Sequence, residues 1–278
     1  MLWGIMKLLK DQINELKKTF NLVKKEPFYI AVPSLIDLMF LMVLGYVGNF
    51  FLITKAAPLL ERIAVIKMES SVASMEEYAT AIMSQQSEIF PLAMQVMGIF
   101  FQLALSILVL WTIFQGVNWY LASKFDNKKV KVWKFFKNFT VATIVIAIFE
   151  FIIALFYYNI TLKNVLGQNN PSFQLLINSI SIIALIILYY FALINYSICY
   201  KYSLKKLELC KKTIMIGVKR FKDISLAILV LVVMFVILNY AVKIVSLISV
   251  NLMFVTGVIL IFPLIAFSRM YLIKIIKS

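Results

Sequence analysis

The chain has 278 residues, of which 63% are hydrophobic and only 15% are charged, and its mean hydropathy is +0.93. A soluble domain carries roughly half apolar and a quarter charged residues, so this composition excludes an ordinary soluble protein and predicts one whose solvent is the lipid bilayer. The net charge of +15 does not indicate nucleic-acid binding, because the basic residues form no separate domain or tail.

Six apolar segments have the length of transmembrane helices. A helix needs roughly 20 apolar residues to cross about 30 Å of hydrocarbon. We therefore predict an all-α, polytopic membrane protein with six transmembrane helices arranged as three hairpins. The predicted spans are Pro27–Ile53, Gly98–Ala122, Phe139–Tyr158, Ile177–Tyr200, Ile224–Val242 and Leu247–Ser268.

The basic residues orient these spans. Lys and Arg accumulate on the cytoplasmic side of membrane proteins, and most of the 28 in this chain fall in segments that would share one side. We therefore predict a multi-pass protein of the cell (plasma) membrane with both termini in the cytoplasm. The basic residues assigned to the opposite side are Lys55, Arg62, Lys67, Lys163 and Lys243.

Residues 1–26 have the pattern of an amphipathic helix lying at the membrane surface. Apolar residues from Leu2 to Val23 recur at three- and four-residue spacing, and lysines occupy other positions. The apolar face of such a helix lies at the headgroup boundary, and its lysines reach anionic lipid. Pro27 then allows the chain to turn into the bilayer.

The first hairpin, at 27–122, contains the longest predicted segment outside the membrane. Between Thr54 and Glu88, apolar residues alternate four- and three-residue steps, as in a packed helical seam. We predict a helical extension of the hairpin at 54–88 on the extracytoplasmic side. This extension either packs on its own neighbours or provides a surface for a protein partner or for self-association.

Two further basic segments precede the second and third hairpins. The pattern predicts an interfacial helix with hairpin 2 at 128–200 and another with hairpin 3 at 204–268, followed by a cytoplasmic tail at 269–278. The chain is thus predicted to be a single membrane domain, 1–278, in which one unit occurs three times. Chance placement of apolar residues in basic loops is the alternative explanation.

The sequence offers little for catalysis. Histidine is absent, which removes the commonest acid/base catalyst at neutral pH and the commonest metal ligand. Cys199 and Cys210 do not have the spacing of a zinc site, and no phosphate loop or serine nucleophile motif is present. We therefore predict no enzyme activity, no catalytic residues, no cofactor and no metal.

Two carboxylates inside the predicted spans are candidates for an ion or proton site. Asp37 and Glu150 lie at similar depths in the first and second units, and charge inside hydrocarbon is costly unless it faces a cavity or a partner. The third unit provides Asn239 near that depth. The alternative is that each carboxylate is protonated or hydrogen-bonded separately within the bundle.

One motif resembles a known group of proteins. A basic helix ending in Lys24-Lys25-Glu26-Pro27, followed by Leu35-Ile36-Asp37-Leu38, resembles the opening of uncharacterised prokaryotic six-span membrane proteins. It is also similar to the membrane portion of membrane-anchored glycerophosphodiester phosphodiesterases. The resemblance implies a membrane domain only, because the catalytic domain of those enzymes has no counterpart in this sequence.

Two functional hypotheses follow. The first is a non-enzymatic membrane protein that organises membrane or scaffolds partners, with anionic headgroups as ligands and no nucleic-acid partner. The second is a small-solute or ion transporter, or a channel component, that uses the intramembrane carboxylates. The residues predicted to contact anionic lipid are Lys7, Lys10, Lys17, Lys18, Lys131, Lys134, Lys211, Lys212, Lys219 and Arg220.

Overall fold

The computed structural model describes the backbone of residues 2–70, 78–165, 171–202 and 208–277, and the side chains of 9–66, 89–157, 172, 175–202 and 208–277. Within these ranges the protein is all-α, which confirms the predicted fold class. In chain order the helices are α1 (Leu2–Lys25), α2 (Phe28–Asn49), a π-helical segment (Phe50–Ala56), α3 (Ala57–Ser70), α4 (Tyr78–Asp126), α5 (Val132–Val165), α6 (Pro171–Ile198), α7 (Glu208–Lys219), α8 (Phe221–Ser246) and α9 (Val250–Lys277).

Six helical segments of the described chain are long and apolar enough to cross a membrane, in agreement with the predicted number. They are Phe28–Ile66, Ile89–Asp126, Val132–Tyr157, Leu175–Ile198, Phe221–Ser246 and Val250–Lys277.

The chain forms two compact units. Unit 1 comprises Met1–Leu38 and Thr112–Ser278, and unit 2 comprises Met39–Trp111. The hydrophobic core of unit 1 includes a cluster of aromatic rings from α4, α5 and α6, in which Phe139 lies 4.7 Å from Tyr196 between ring centroids. Phe135 and Phe139 are completely buried in this core.

One end of unit 1 is closed by α1. Its Gln12 donates a hydrogen bond to the backbone carbonyl of Asp223 at 3.1 Å, at the start of α8. The hydroxyl of Tyr271, near the end of α9, donates to Gln12 Oε1. Helix α1 is therefore fixed beside the beginning of α8 and the end of α9.

The second basic segment differs from the prediction of a separate interfacial helix. After a turn in which Val130 N donates to Asn127 O, α5 begins at Val132 and continues to Val165. A continuous helix is the physical expectation here, because residues 132–139 contain neither proline nor glycine to interrupt it. The first basic segment, α1, is separated from α2 by Pro27. The third basic segment, α7, ends at Lys219 and is a separate helix from α8.

The predicted tail at 269–278 also differs from the structure. Helix α9 continues to Lys277, and Met270, Tyr271, Ile273 and Ile275 on its last turns are buried. The apolar side chains after Ser268 pack into unit 1. Residues 269–277 therefore continue the last helix and do not form a separate tail.

In unit 2, the part of α2 that follows Leu38 leads through the π-helical segment into α3. The predicted extension at 54–88 contains α3 and the first residues of α4, whereas 71–77 and the side chains of 67–88 lie outside the described residues. Helix α4 has 49 residues, which is about 73 Å at 1.5 Å per residue and more than twice the thickness of the hydrocarbon core. Helix α4 thus has more residues than one span requires.

Candidate functional site

A buried polar network connects three helices of unit 1. The carboxylate of Asp37 on α2 faces the guanidinium of Arg269 on α9, with Nη1–Oδ2 at 2.8 Å and Nη2–Oδ1 at 2.9 Å. Only 7% of the Arg269 side chain and 5% of the Asp37 side chain are exposed. This ion pair is the centre of the network.

Two amide side chains of α4 also donate hydrogen bonds to Asp37. Gln115 Nε2 donates to Asp37 Oδ1 at 3.0 Å, and Asn118 Nδ2 donates to the same oxygen at 2.8 Å. Gln115 Oε1 in turn accepts from Arg269 Nη2 at 2.7 Å. Because charge-assisted, bidentate hydrogen bonds are the strongest of their kind, the network holds α2, α4 and α9 together.

Helix geometry explains why these residues meet. Asp37 follows the start of α2, whereas Gln115, Asn118 and Arg269 precede the ends of α4 and α9. At 1.5 Å per residue, each lies about 12 to 17 Å along its helix from that terminus. Residues on helices of alternating direction therefore reach the same level, and the faces they occupy decide which of them touch.

The chemistry of the network is that of a closed ion pair. All donors directed at Asp37 stabilise its negative charge, and both oxygens accept from Arg269. Among the described side chains, the buried Oδ1 of Asn118 lacks a hydrogen-bond partner. A buried carboxylate matched in this way fits a structural lock between helices better than a site that exchanges protons with a solute.

Glu150 has a different environment from Asp37. It lies on α5, is half-buried, and accepts a hydrogen bond from the hydroxyl of Tyr189 on α6. Among the described residues, no contact joins Glu150 to Asp37. The two carboxylates thus have separate partners, and Asp37 has an ion pair with Arg269 that neither sequence hypothesis included.

Asn239, the third residue of the predicted ion site, is exposed. Its side-chain nitrogen donates to Phe235 O at 3.0 Å on its own helix, α8. The structure therefore brings Asp37 together with residues that were not predicted for the site, and it gives Glu150 and Asn239 contacts of their own.

The prediction missed Arg269, because the count of apolar residues assigned it to a cytoplasmic tail. One signal for it exists in the sequence: the apolar run of α9 resumes after Arg269 with Met270 to Ile273. A charge followed by a further turn of apolar residues lies inside the bundle more readily than at its edge.

The predicted lipid-contacting residues lie on or beside the helices at the end of unit 1 where α1 packs. We call this the basic end: α1, the turn between α4 and α5 with the first turn of α5, the end of α6, α7, the start of α8 and the end of α9. Arg220 donates to Ile276 O at 3.1 Å, and Lys134 Nζ lies 3.5 Å from Lys201 O. The exposed members are Lys10, Lys17, Lys18, Lys131, Lys134, Lys211 and Lys219; Lys212 and Arg220 are half-buried, and the side chain of Lys7 lies outside the described residues.

The six long apolar helices of the described chain define the class of the molecule: it is a multi-pass integral membrane protein. The chain matches no protein-family model, no curated protein and no solved structure.

Proposed function

We propose that this integral membrane protein is a non-enzymatic organiser of membrane, or scaffold for partners, that gathers anionic lipid at its basic end. The proposal includes a plasma-membrane location with both termini in the cytoplasm. The single observation that carries it is the division of α1 into three faces of different chemistry.

One face of α1 packs on unit 1, a second is apolar and exposed, and a third is basic and exposed. The apolar face lies between the other two around the helix. The packed face consists of Gln12, Thr19 and Val23. The exposed apolar face consists of Leu9, Ile13 and Phe20, and the exposed basic face consists of Lys10, Lys17 and Lys24. This order suits a helix whose apolar face enters the acyl boundary while its lysines reach the headgroups.

Helix α7 has the same faces in the same rotational order. Its packed face consists of the buried Leu209, Thr213 and Gly217. Its apolar face consists of the exposed Ile214 and Val218, and its basic face consists of the exposed Lys211 and Lys219. Two separate helices of the basic end therefore share one arrangement. A common lipid surface accounts for both exposed apolar faces.

The contribution of each lysine to this binding follows from surface electrostatics. A Lys near an anionic membrane surface contributes about 1 kcal/mol, so removing two should weaken the preference for anionic lipid by up to roughly 30-fold. Salt should weaken it further, because exposed charges are screened beyond about 10 Å at 0.1 M ionic strength.

The experiment compares lipid retention by the full chain. The protein is reconstituted in nanodiscs that contain phosphatidylglycerol and phosphatidylcholine, and the lipids that remain bound on gentle extraction are counted by native mass spectrometry. We expect enrichment of phosphatidylglycerol for the unmodified chain, and its loss for Lys10→Gln combined with Lys17→Gln.

The matched control also removes two lysine charges, but at positions outside the basic end. Lys55 and Lys243 are exposed and lie outside the basic end, so Lys55→Gln combined with Lys243→Gln should keep the enrichment. Equal retention of both lipids by the unmodified chain would refute the proposal.

The transporter hypothesis stays a prediction. The separate partners of Asp37 and Glu150 weigh against a site that both carboxylates share, and the exposed apolar faces of α1 and α7 have no role in it. For these reasons the lipid-engaging function is preferred.

A further inference from the structure

A cleft of about 430 Å³ opens at the basic end, where α4, α6 and α9 end together. It is lined by Asp126, Asn127, Tyr200, Lys201 and Lys277. Its volume falls in the range of small-molecule sites. These residues come from three distant parts of the sequence, so the cleft exists only in the folded chain.

The one carboxylate in this lining is already matched. The hydroxyl of Tyr200 donates to Asp126 Oδ2 at 2.8 Å, and Lys277 Nζ lies 3.1 Å from both carboxylate oxygens. Burial and the hydrogen bond to Asp126 raise the pKa of Tyr200, so this hydroxyl keeps its proton and remains a donor. Asp126 therefore does not dominate the charge of the cleft.

Positive charge remains after this pairing. Lys201 is exposed, and Lys277 is 50% exposed with three N–H donors in total. Arg220 lies nearby, where it donates to Ile276 O on the last turn of α9, but its charge is partly matched by Asp223 at 3.5 Å. The turn that follows Asn127 adds the exposed Lys129, whereas Lys128 in the same turn is paired with Glu26 at 3.1 Å.

The lysines also crowd one another. The main cause that lowers the pKa of Lys201 is the partial burial of its side chain, although the residue as a whole is exposed. The positive charges of Lys277 and Arg220 lower this pKa further, and Asp126 opposes them. An anion bound between these groups would relieve that repulsion. The carbonyl groups at the ends of α4, α6 and α9 account for some of this cationic charge, since helix C-termini attract cations.

We propose that this cleft binds a phosphate group, with Lys201, Lys277 and Asn127 as donors, and that the phosphate belongs to the headgroup of an anionic lipid. The proposal rests on the proposed function, and it adds a defined site to what is otherwise a diffuse basic surface. A phosphate accepts several hydrogen bonds at once, which matches the converging N–H donors.

The test uses the purified full chain in detergent at constant ionic strength. The probes are inorganic phosphate, glycerol 1-phosphate, dihexanoyl phosphatidylglycerol and dihexanoyl phosphatidylcholine, each titrated while the thermal unfolding midpoint is recorded. We expect phosphatidylglycerol to raise the midpoint at the lowest concentration. Equal effects of the three anionic probes would support the phosphate site but assign it to a soluble phosphorylated compound.

Variants separate the cleft from its surroundings. Lys201→Gln should weaken phosphatidylglycerol binding about tenfold, and Lys201→Arg should keep it. Lys222→Gln removes an exposed charge on α8 without touching the lining, so it serves as the control. If Lys201→Gln and Lys222→Gln bind alike, or if no anionic probe binds, the lysines of the cleft serve only to cap helix ends and the proposal fails.

Failure of this site and failure of the proposed function are distinguishable. In the first case Lys201→Gln changes nothing, while Lys10→Gln with Lys17→Gln still removes the enrichment of phosphatidylglycerol in nanodiscs. In the second case the nanodisc enrichment is absent from the unmodified chain, whereas the detergent titration still reports phosphate binding.

Discussion

Arg269 and Asp37 are 232 positions apart in the sequence, yet their guanidinium and carboxylate form two parallel hydrogen bonds of 2.8 and 2.9 Å. The pair joins the first spanning helix to the last. Gln115 and Asn118 of α4 bind the same carboxylate, so three helices depend on one ion pair.

Replacement of Arg269 should destabilise the protein strongly. Arg269→Gln leaves the Asp37 charge buried without its counter-ion, and breaking a buried pair from one side costs about 3 to 5 kcal/mol. The measurement is the thermal unfolding midpoint in detergent. Arg62 is exposed, so Arg62→Gln is the control, and an equal midpoint for the two variants would contradict the assignment.

Removal of both charges should restore part of this loss. In Asp37→Leu combined with Arg269→Met no unpaired charge remains, and apolar replacements of similar volume are often tolerated in place of buried ion pairs. A double-mutant cycle on unfolding free energies measures the coupling. We expect the double variant to be more stable than either single variant; additive losses would show that the two residues do not interact.

Gly217 should not tolerate a methyl group, whereas Gly45 should. A Cβ at Gly217 would lie 2.6 Å from Phe191 Cε1 and 3.1 Å from Ile194 Cδ1, but none would meet another atom within 4 Å at Gly45. We expect Gly217→Ala to cost about 1 to 3 kcal/mol of unfolding free energy. Gly45→Ala should be neutral or stabilising by up to about 1 kcal/mol, because Ala favours helix over Gly.

The same unfolding assay decides between these two glycines. If both variants shift the midpoint alike, the close packing of α7 against α6 is not as the structure describes it.

Asn138 should be important for the end of α6. Its side-chain nitrogen donates to Cys199 O at 2.6 Å and to Tyr202 O at 2.7 Å, which satisfies two carbonyl groups of the turn that follows α6. Asn138→Ala should cost about 1 to 3 kcal/mol. Asn14 is exposed on α1, and Asn14→Ala should leave the unfolding midpoint within the error of the assay.

The two cysteines should differ in reactivity. Cys199 is completely buried. Its burial is the main cause that raises its pKa far above the usual range, and the neighbouring Cys210 adds to this effect. The thiolate is the reactive form, so Cys199 stays protonated and unreactive as the pH rises to 9. Cys210 is only half-buried and should carry the labelling.

Maleimide labelling of the folded protein between pH 7 and 9 tests this difference. Cys210→Ser should abolish the rapid labelling, whereas Cys199→Ser should preserve it. Rapid labelling of Cys210→Ser would mean that Cys199 is accessible.

The sequence predicted the spans well because the bilayer imposes a length and a composition on every helix that crosses it. Six long apolar segments require six helices whatever their arrangement. It also predicted α1 as a separate helix, since Pro27 and the apolar spacing are local signals. The boundaries were less predictable: nothing local separates residues 132–139 from the rest of α5, and nothing local ends α9 before Lys277.

The site required tertiary information for a different reason. Equal depth suggested that Asp37 and Glu150 correspond, but depth follows from counting residues, whereas contact depends on which faces of which helices meet. Arg269 was assigned outside the membrane because the count of apolar residues ended the last span at Ser268. Neither residue has a local partner in its own helix that would reveal the pair.

The sequence by itself determined the class of protein, the number of spanning helices and the accumulation of lysines outside them, because hydrophobicity and charge act residue by residue. Only the tertiary structure decided that Asp37 pairs with Arg269, that Glu150 has a separate partner, and that Asp126, Tyr200 and Lys277 line one cleft. Those relationships depend on the rotation and neighbours of each helix, which the packing of side chains across the bundle sets.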